Sequence, residues 1–265
     1  MTSNSPLLIA QVTDIHLFAH EQQELLGLPT DRSFQAVLQR LRGLDPQPDL
    51  LLLTGDLSQD GTAIAYERLQ AALLPLGIPV YWLPGNHDCL PMMQQVLHQF
   101  PVMPEKVFDV GCWNFLLLNS GVPGCVYGEL SDESLDWLDA QLQQLPQRPT
   151  LIALHHPPFL VNSKWLDTST LRNPEALWAV IDRYPQVKLV LFGHIHQEFC
   201  QQRQGVSCLG TPSTSIQFEP ESNNFALDCN SPGFRLVNLY PDGSWTTQVE
   251  RVECVHQLDL VASGY

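Results

Sequence analysis

Five short stretches hold the residues of this chain best suited to chemistry: Thr13-Asp14-Ile15-His16, Gly55-Asp56, Gly85-Asn86-His87-Asp88, His155-His156 and Gly193-His194-Ile195-His196. Their donors are imidazoles, carboxylates and one amide, with no thiolate. That set suits Zn, Fe or Mn and argues against a structural zinc finger. Alternate residues of an extended segment share a side. Asp14 and His16 are therefore expected to converge around Ile15, and His194 and His196 around Ile195. Gly55, Gly85 and Gly193 would let the backbone turn where a side chain would block the site. A lone histidine at a strand end is ordinarily a satisfied structural residue, but five clusters at five strand ends are not independent accidents. Spacing alone leaves His155 and His156 as equal candidates. His20, His98 and His256 lack such context and read as surface, Asp60 and Glu198 as supporting or solvated groups, and the cysteines as small buried hydrophobes.

The elements that must position these clusters follow from periodicity. LLIAQV (7–12), DLLLLT (49–54) and VYWL (80–83) read as buried strands. Between them, Thr30–Gly43, with Thr30 as N-cap, and Thr62–Leu74 read as helices, a βαβαβ rhythm that implies a largely parallel sheet. Residues 107–120 read as a hairpin and Ser131–Leu145 as a helix. TLIALHH is a strand, Asn173-Pro174-Glu175 opens a helix with Asn173 as cap, and VKLVLFGHIH is a further strand. Strand patterns dominate the C-terminal part, with Asp242-Gly243 as a tight turn. Residues 157–172 and 211–233 are long and irregular, a common mark of functional loops. Every cluster thus falls at the carboxyl end of a strand, where open α/β sheets gather their ligands. The architecture expected is two packed sheets with helices outside.

The 265 residues carry a formal net charge of −15, and 44% are hydrophobic. Such acidity opposes a nucleic-acid surface or an anionic membrane. It still permits a small anionic substrate where bound metal reverses the local sign. The seven cysteines are scattered and form no CxxC, which suits free thiols in a reducing compartment. The N-terminal stretch lacks the basic region and apolar length of a signal peptide. No run approaches the ~20 apolar residues of a membrane span. A soluble, cytoplasmic protein is expected, with no nucleic-acid or membrane partner; its oligomeric state is not legible.

The series DIH, GDLSQDG, GNHD, HHPP and GHIH, in that order between residues 14 and 196, resembles the calcineurin-like metallophosphoesterase family. A wider set is similar to the bacterial class III 3′,5′-cyclic-AMP phosphodiesterases and covers nearly the whole chain. It comprises QVTDIHLF, LPGNHD, GELS with LDWL, SKWLD with TLRN, GHIHQE, and TPSTSIQF with the later NF and SPGF. The resemblance implies an α/β, four-layer α/β/β/α sandwich of the metallo-dependent phosphatase type. A single domain would span 1–265, with C-terminal strands at about 205–255 completing the second sheet. It also implies two divalent ions, Fe2+ and/or Mn2+ foremost and Zn2+ as a further candidate. Asp14, His16, Asp56 and His196 would hold one ion; Asp56, Asn86, His155 and His194 would hold the other, with Asp56 bridging. Pro157, two positions after His155, favours that histidine over His156.

The implied reaction is hydrolysis of 3′,5′-cyclic AMP to 5′-AMP, with a bridging hydroxide as nucleophile. The leaving O3′ is a secondary alkoxide and needs a general acid, for which His87, next to Asn86, is the candidate. His16, Asp56, Asn86, His87 and His196 would also meet the substrate. Asp88 is expected to cap a helix starting near Cys89, with holding of the His87 ring as the alternative. One departure narrows the substrate. Family members acting on phosphoproteins carry GDxxDRG, but here Gln59 and Asp60 stand where that motif has Asp and Arg. An acid at position 60 opposes a monoester dianion more than a diester monoanion. The rivals are another diesterase of the same fold, acting on glycerophosphodiesters or 2′,3′-cyclic nucleotides, and a non-catalytic metal-binding scaffold.

Overall fold

The computed structural model describes residues 5–254 and 257–264. The chain opens with β1 (Leu7–Val12), a small ribbon of β2 (Glu24–Leu25) and β3 (Leu28–Pro29), and α1 (Thr30–Arg42). Then come β4 (Leu50–Thr54), α2 (Ala63–Leu73), β5 (Val80–Leu83), α3 (Leu90–Val96) and β6 (Val102–Met103). The hairpin β7 (Val107–Val110) and β8 (Trp113–Leu117) leads to α4 (Asp132–Gln144), β9 (Thr150–Ala153), α5 (Pro174–Ile181) and β10 (Val187–Phe192). The remainder is strand: β11 (Phe199–Arg203), β12 (Val206–Gly210), a second ribbon of β13 (Gln217–Phe218) and β14 (Leu227–Asp228), then β15 (Gly233–Leu239) and β16 (Trp245–Arg251).

Two six-stranded sheets result, ordered β16-β15-β1-β4-β5-β6 and β11-β12-β10-β9-β8-β7. The continuous apolar run of β4 shows why they stack as they do. Leu50 and Leu52 enter a core shared with Leu151, Leu189 and Leu191 of the other sheet. Leu51 and Leu53 point the opposite way, against Phe34, Val37 and Leu38 of α1 and Leu69 of α2. In the second sheet Ile152 and Val190 face Leu138 and Leu142 of α4 and Leu177 of α5. Each sheet is thus buried on both faces, giving the four layers α/β/β/α, and strands covered on both faces must be apolar throughout.

β1, β4 and β5 run parallel, as do β8, β9 and β10, so each set of carboxyl ends lies at one edge of its sheet. The C-terminal strands differ from expectation. Only β11 and β12 join the second sheet; β15 pairs antiparallel with β1 and brings β16 into the first. Without β15, the edge of β1 would expose unpaired amides and carbonyls. Two caps also differ. Thr30 is the first residue of α1, and Pro29 precedes it without a side-chain bond. Asn173 precedes α5, but its carboxamide bonds Leu130 N at 3.0 Å and Leu130 O at 2.7 Å. His20 and His98 are exposed; His256 lies outside the described residues.

Candidate metal centre

Asp14, His16, Asp56, His155, His194 and His196 are all buried, and Asn86 and His87 are half-buried beside them. Their convergence has a different origin from the alternation expected of an extended chain. Asp14, His16, Asp56, His194 and His196 have φ of 54°, 53°, 50°, 69° and 51°. Left-handed backbone is uncommon outside glycine, though Asp and His tolerate it better than most residues. Such strain persists only where the surroundings over-determine it. Here the fixed strand ends do so: Asp14 N donates to Gly55 O at 3.0 Å and His16 N to Asp56 O at 2.9 Å. A Cβ at Gly85 would collide with the Asp56 carboxylate, and one at Gly193 with Thr13 Oγ1 and Asp14 Oδ2. Those two glycines permit the close approach that the sequence suggested.

The ring nitrogens are sorted by their neighbours. His16 Nδ1 donates to Gln59 Oε1 at 2.6 Å, His155 Nδ1 to Thr54 O at 2.8 Å, and His196 Nδ1 to Ile216 O at 2.8 Å. His194 Nε2 pairs with Ser169 Oγ at 2.9 Å. One nitrogen of each ring is fixed by an outer partner and the other is turned inward, the usual arrangement of ligating histidines. His156 comes close to His155 and His194, but its two nitrogens are both engaged, by Ser120 Oγ at 2.8 Å and Val126 O at 3.1 Å.

The inward atoms crowd toward one another. His16 Nε2 and His196 Nε2 face one another at 3.3 Å, each presenting a lone pair. His196 Nε2 lies 3.3 Å from Asp14 Oδ1, and His155 Nε2 lies 3.3 Å from Asp56 Oδ2 and 4.0 Å from Asp14 Oδ1. Asp56 Oδ2, Asn86 Oδ1 and His155 Nε2 are buried without a hydrogen bond. Buried polar atoms are rarely left so. Donors held at ~2.0–2.2 Å around a small cation stand roughly 3 Å apart, the spacing observed here. The residues present therefore fit a pair of cations, with Asp56 between the two groups: its Oδ2 faces His16 at 3.9 Å and His155 at 3.3 Å, while its Oδ1 accepts the His87 amide at 2.9 Å.

The electrostatics of the protein alone point the same way. Burial would raise the Asp14 carboxyl, but the neighbouring imidazoles of His196 and His155 hold it below the usual range. Asp56 is held well below it, against burial, by His155 and His87. Burial lowers the His155 imidazole, yet the carboxylates of Asp56 and Asp14 outweigh it and lift it to about 9. His16 and His156 are both pushed down to about 3 by burial. The two carboxylates thus favour their ionised forms and draw positive charge toward the cluster.

Asp60 does not face this centre as an anion clamp. Its carboxylate accepts from Ala19 N at 2.8 Å, Ser58 Oγ at 3.0 Å and Thr62 Oγ1 at 2.8 Å, organising the loop before α2. Asp88 does not cap α3. Its oxygens accept from Leu57 N at 3.1 Å, Ser58 N at 3.0 Å, Gly85 N at 2.9 Å and Tyr66 Oη at 3.0 Å. It ties the loop after β4 to the loop after β5, because those loops bring three donors to it, Tyr66 of α2 brings a fourth, and α3 brings none. Ser169 and the carbonyls of Thr54 and Ile216 were not identified from sequence; backbone acceptors carry no side-chain signature, and Ser169 lies in an irregular loop.

The family model described as calcineurin-like phosphoesterase matches residues 7–198. A 3′,5′-cyclic-nucleotide phosphodiesterase from Nostoc sp. (strain PCC 7120) is 59% identical over 252 residues, 95% of each chain. A 3′,5′-cyclic adenosine monophosphate phosphodiesterase from Vibrio vulnificus is 43% identical over 265 residues, covering 99% of this chain and 97% of that one. Among solved structures, a dimetal phosphatase from Danio rerio superposes with a TM-score of 0.66 at 15% identity, covering 94% of this chain and all of that one. A purple acid phosphatase from yellow lupin seeds superposes with a TM-score of 0.67 at 14% identity, over 94% of this chain and 52% of that one. These two show likeness of fold. No helix among the described residues is long and apolar enough to cross a membrane.

Proposed function

The chain belongs to the calcineurin-like phosphoesterase family, and from that premise we propose that it hydrolyses 3′,5′-cyclic AMP to 5′-AMP at a dinuclear metal centre. The relatives named for this activity support the substrate. The observation that carries the site is the set of buried, unpartnered atoms, Asp56 Oδ2, Asn86 Oδ1 and His155 Nε2. In this reading Asp14, His16, Asp56 and His196 hold one ion, and Asp56, Asn86, His155 and His194 the other. Fe2+ or Mn2+ is the expected occupant, and Zn2+ is compatible with the same donors. Divalent ions held there supply Lewis acidity at the phosphoryl oxygens and make water nucleophilic near neutral pH. They also make the centre locally positive in a protein of net charge −15.

The chain's own residues do the rest. Gln59, Thr54, Ile216 and Ser169 hold the rings so that each inward nitrogen keeps its lone pair. His87 lines the cavity beside Asn86 and His194, with its backbone fixed by Asp56 Oδ1. From there its ring protonates the departing O3′, a transfer typically worth ~10²–10⁴ in rate. The whole chain is the catalytic unit in this proposal, because β15 covers β1, the strand that leads to Asp14. A cytoplasmic setting belongs to it as well, supported by seven free cysteines.

The test is hydrolysis of 3′,5′-cyclic AMP after loading with Fe or Mn, with the product identified, beside a panel of 2′,3′-cyclic nucleotides and glycerophosphodiesters at matched metal content. The expected product is 5′-AMP. Faster turnover of another diester, or 3′-AMP as product, would overturn the assignment.

A further inference from the structure

A cavity of about 730 Å³ opens at the metal centre, within the range of pockets that hold a nucleotide-sized ligand. Asn86, His87 and His194 line it, and so do Trp165, Phe218 and Phe225. The second trio comes from loops and a short ribbon outside the ligand clusters. Its rings pack edge to face: Trp165 and Phe218 lie 4.9 Å apart at 81°, Trp165 and Phe225 5.1 Å apart at 66°. Neither phenyl ring lies parallel on the indole. Phe218 in turn stacks on His196 at 4.1 Å and 13°, which sets the aromatic group directly beside an expected ligand.

Hydrolysis of a phosphodiester requires none of these rings. They offer apolar π surface, and the one polar atom among them, Trp165 Nε1, is itself buried. The ligand that suits such a wall is a flat aromatic group, which describes a nucleobase. Stacking on aromatic side chains is a general means of holding bases.

We propose that the aromatic wall of Trp165, Phe218 and Phe225 receives the nucleobase of the cyclic nucleotide by stacking and apolar contact. The inference rests on reading the chain as a cyclic-nucleotide phosphodiesterase. It adds what would separate this enzyme from a general diesterase. The metal centre recognises the diester, and the aromatic wall recognises what is attached to the ribose.

The test compares cyclic AMP with the 3′,5′-cyclic phosphate of methyl riboside, which keeps the reacting ring and leaving group but lacks the base. In the wild type, KM should be lower for cyclic AMP. In Trp165→Leu, KM for cyclic AMP should rise by about 10-fold or more relative to that for the baseless compound. Trp165→Phe, which keeps an aromatic face of smaller area, should fall between. The ratio of the two substrates is internal to each preparation, so partial misfolding does not mimic the effect. Equal changes on both substrates, or no change on either, would overturn the base assignment and leave the diesterase reading standing. Failure of the wild type to turn over either compound would refute both.

Discussion

Replacing Asp88 tests whether the loops after β4 and β5 are held as one unit. Its carboxylate accepts from the buried amides of Leu57 and Ser58, from Gly85 N and from Tyr66 Oη. Leu57 and Ser58 directly follow Asp56, and Gly85 directly precedes Asn86. Each buried donor left without its partner costs about 1–3 kcal/mol. Two or more such donors put Asp88→Ala at about 3–6 kcal/mol, after some relief by water. Removal of a helix cap would cost only about 1 kcal/mol. Asp88→Asn keeps one acceptor oxygen but turns an NH2 toward N–H donors, so about 2 kcal/mol is expected. Tyr66→Phe loses the bond to Asp88 and the acceptor for Cys89 N at 2.8 Å, about 1–2 kcal/mol. Burial, and then the Asp56 charge, push the Asp88 carboxyl up to about 6, so urea titrations at about pH 8 compare ionised wild type with each variant. Turnover and bound metal should fall with stability in the Asp88 variants, because Asp56 and Asn86 lose their common tether. A loss near 1 kcal/mol in Asp88→Ala, with full metal content and unchanged turnover, would refute the tether and restore the helix-cap reading.

Other perturbations separate the remaining roles. His87→Ala should slow cyclic AMP hydrolysis by about 10²–10³-fold while metal content stays full, and the loss should shrink for a diester with a p-nitrophenolate leaving group; equal losses would remove His87 from proton donation. His155→Gln should reduce bound metal toward one ion per chain, measured by elemental analysis, whereas His156→Gln, whose two ring nitrogens already have partners, should keep both ions. Lys106 supplies a pH dependence. Its ammonium donates to Trp82 O at 2.5 Å and lies 3.2 Å from the Trp82 ring centroid, yet burial pulls it down to about 7 from the ordinary 10.5. Between those values the unfolded chain binds more protons than the folded one, so stability rises with pH across that window and is flat below it. Against Lys106→Met, the wild type should gain about 1–2 kcal/mol between pH 7 and pH 9, less than the full shift allows because the side chain is partly exposed. A constant difference would place the ammonium in a better solvated setting.

How much of this was legible in the sequence depends on the range of the interaction involved. The runs LLIAQV, LLLLT and VYWL announced strands because burial on both faces leaves no room for polar residues, and their order announced a parallel sheet. The same signal could not say which sheet takes β15: Phe234 and Leu236 enter the helix-side core of the first sheet and Val237 and Leu239 the core between sheets, a pattern that either sheet would accept. Asp88 was misread for a related reason. A helix begins two residues later, a local signal, whereas Tyr66, Ser58 and Leu57, three of its four partners, lie 22–31 residues away. Asp14 and His16 converge as expected but by another route, through left-handed backbone, whose need is set by how closely β1, β4 and β10 end to one another. The ligand types could be read because imidazole and carboxylate are rare, costly residues at such positions. Their orientation could not. It is set by the last carbonyl of β4, a carbonyl before β13, one glutamine and one serine. A motif can therefore name the histidines of such a cluster, but only the assembled sheets and loops decide which nitrogen of each ring turns inward.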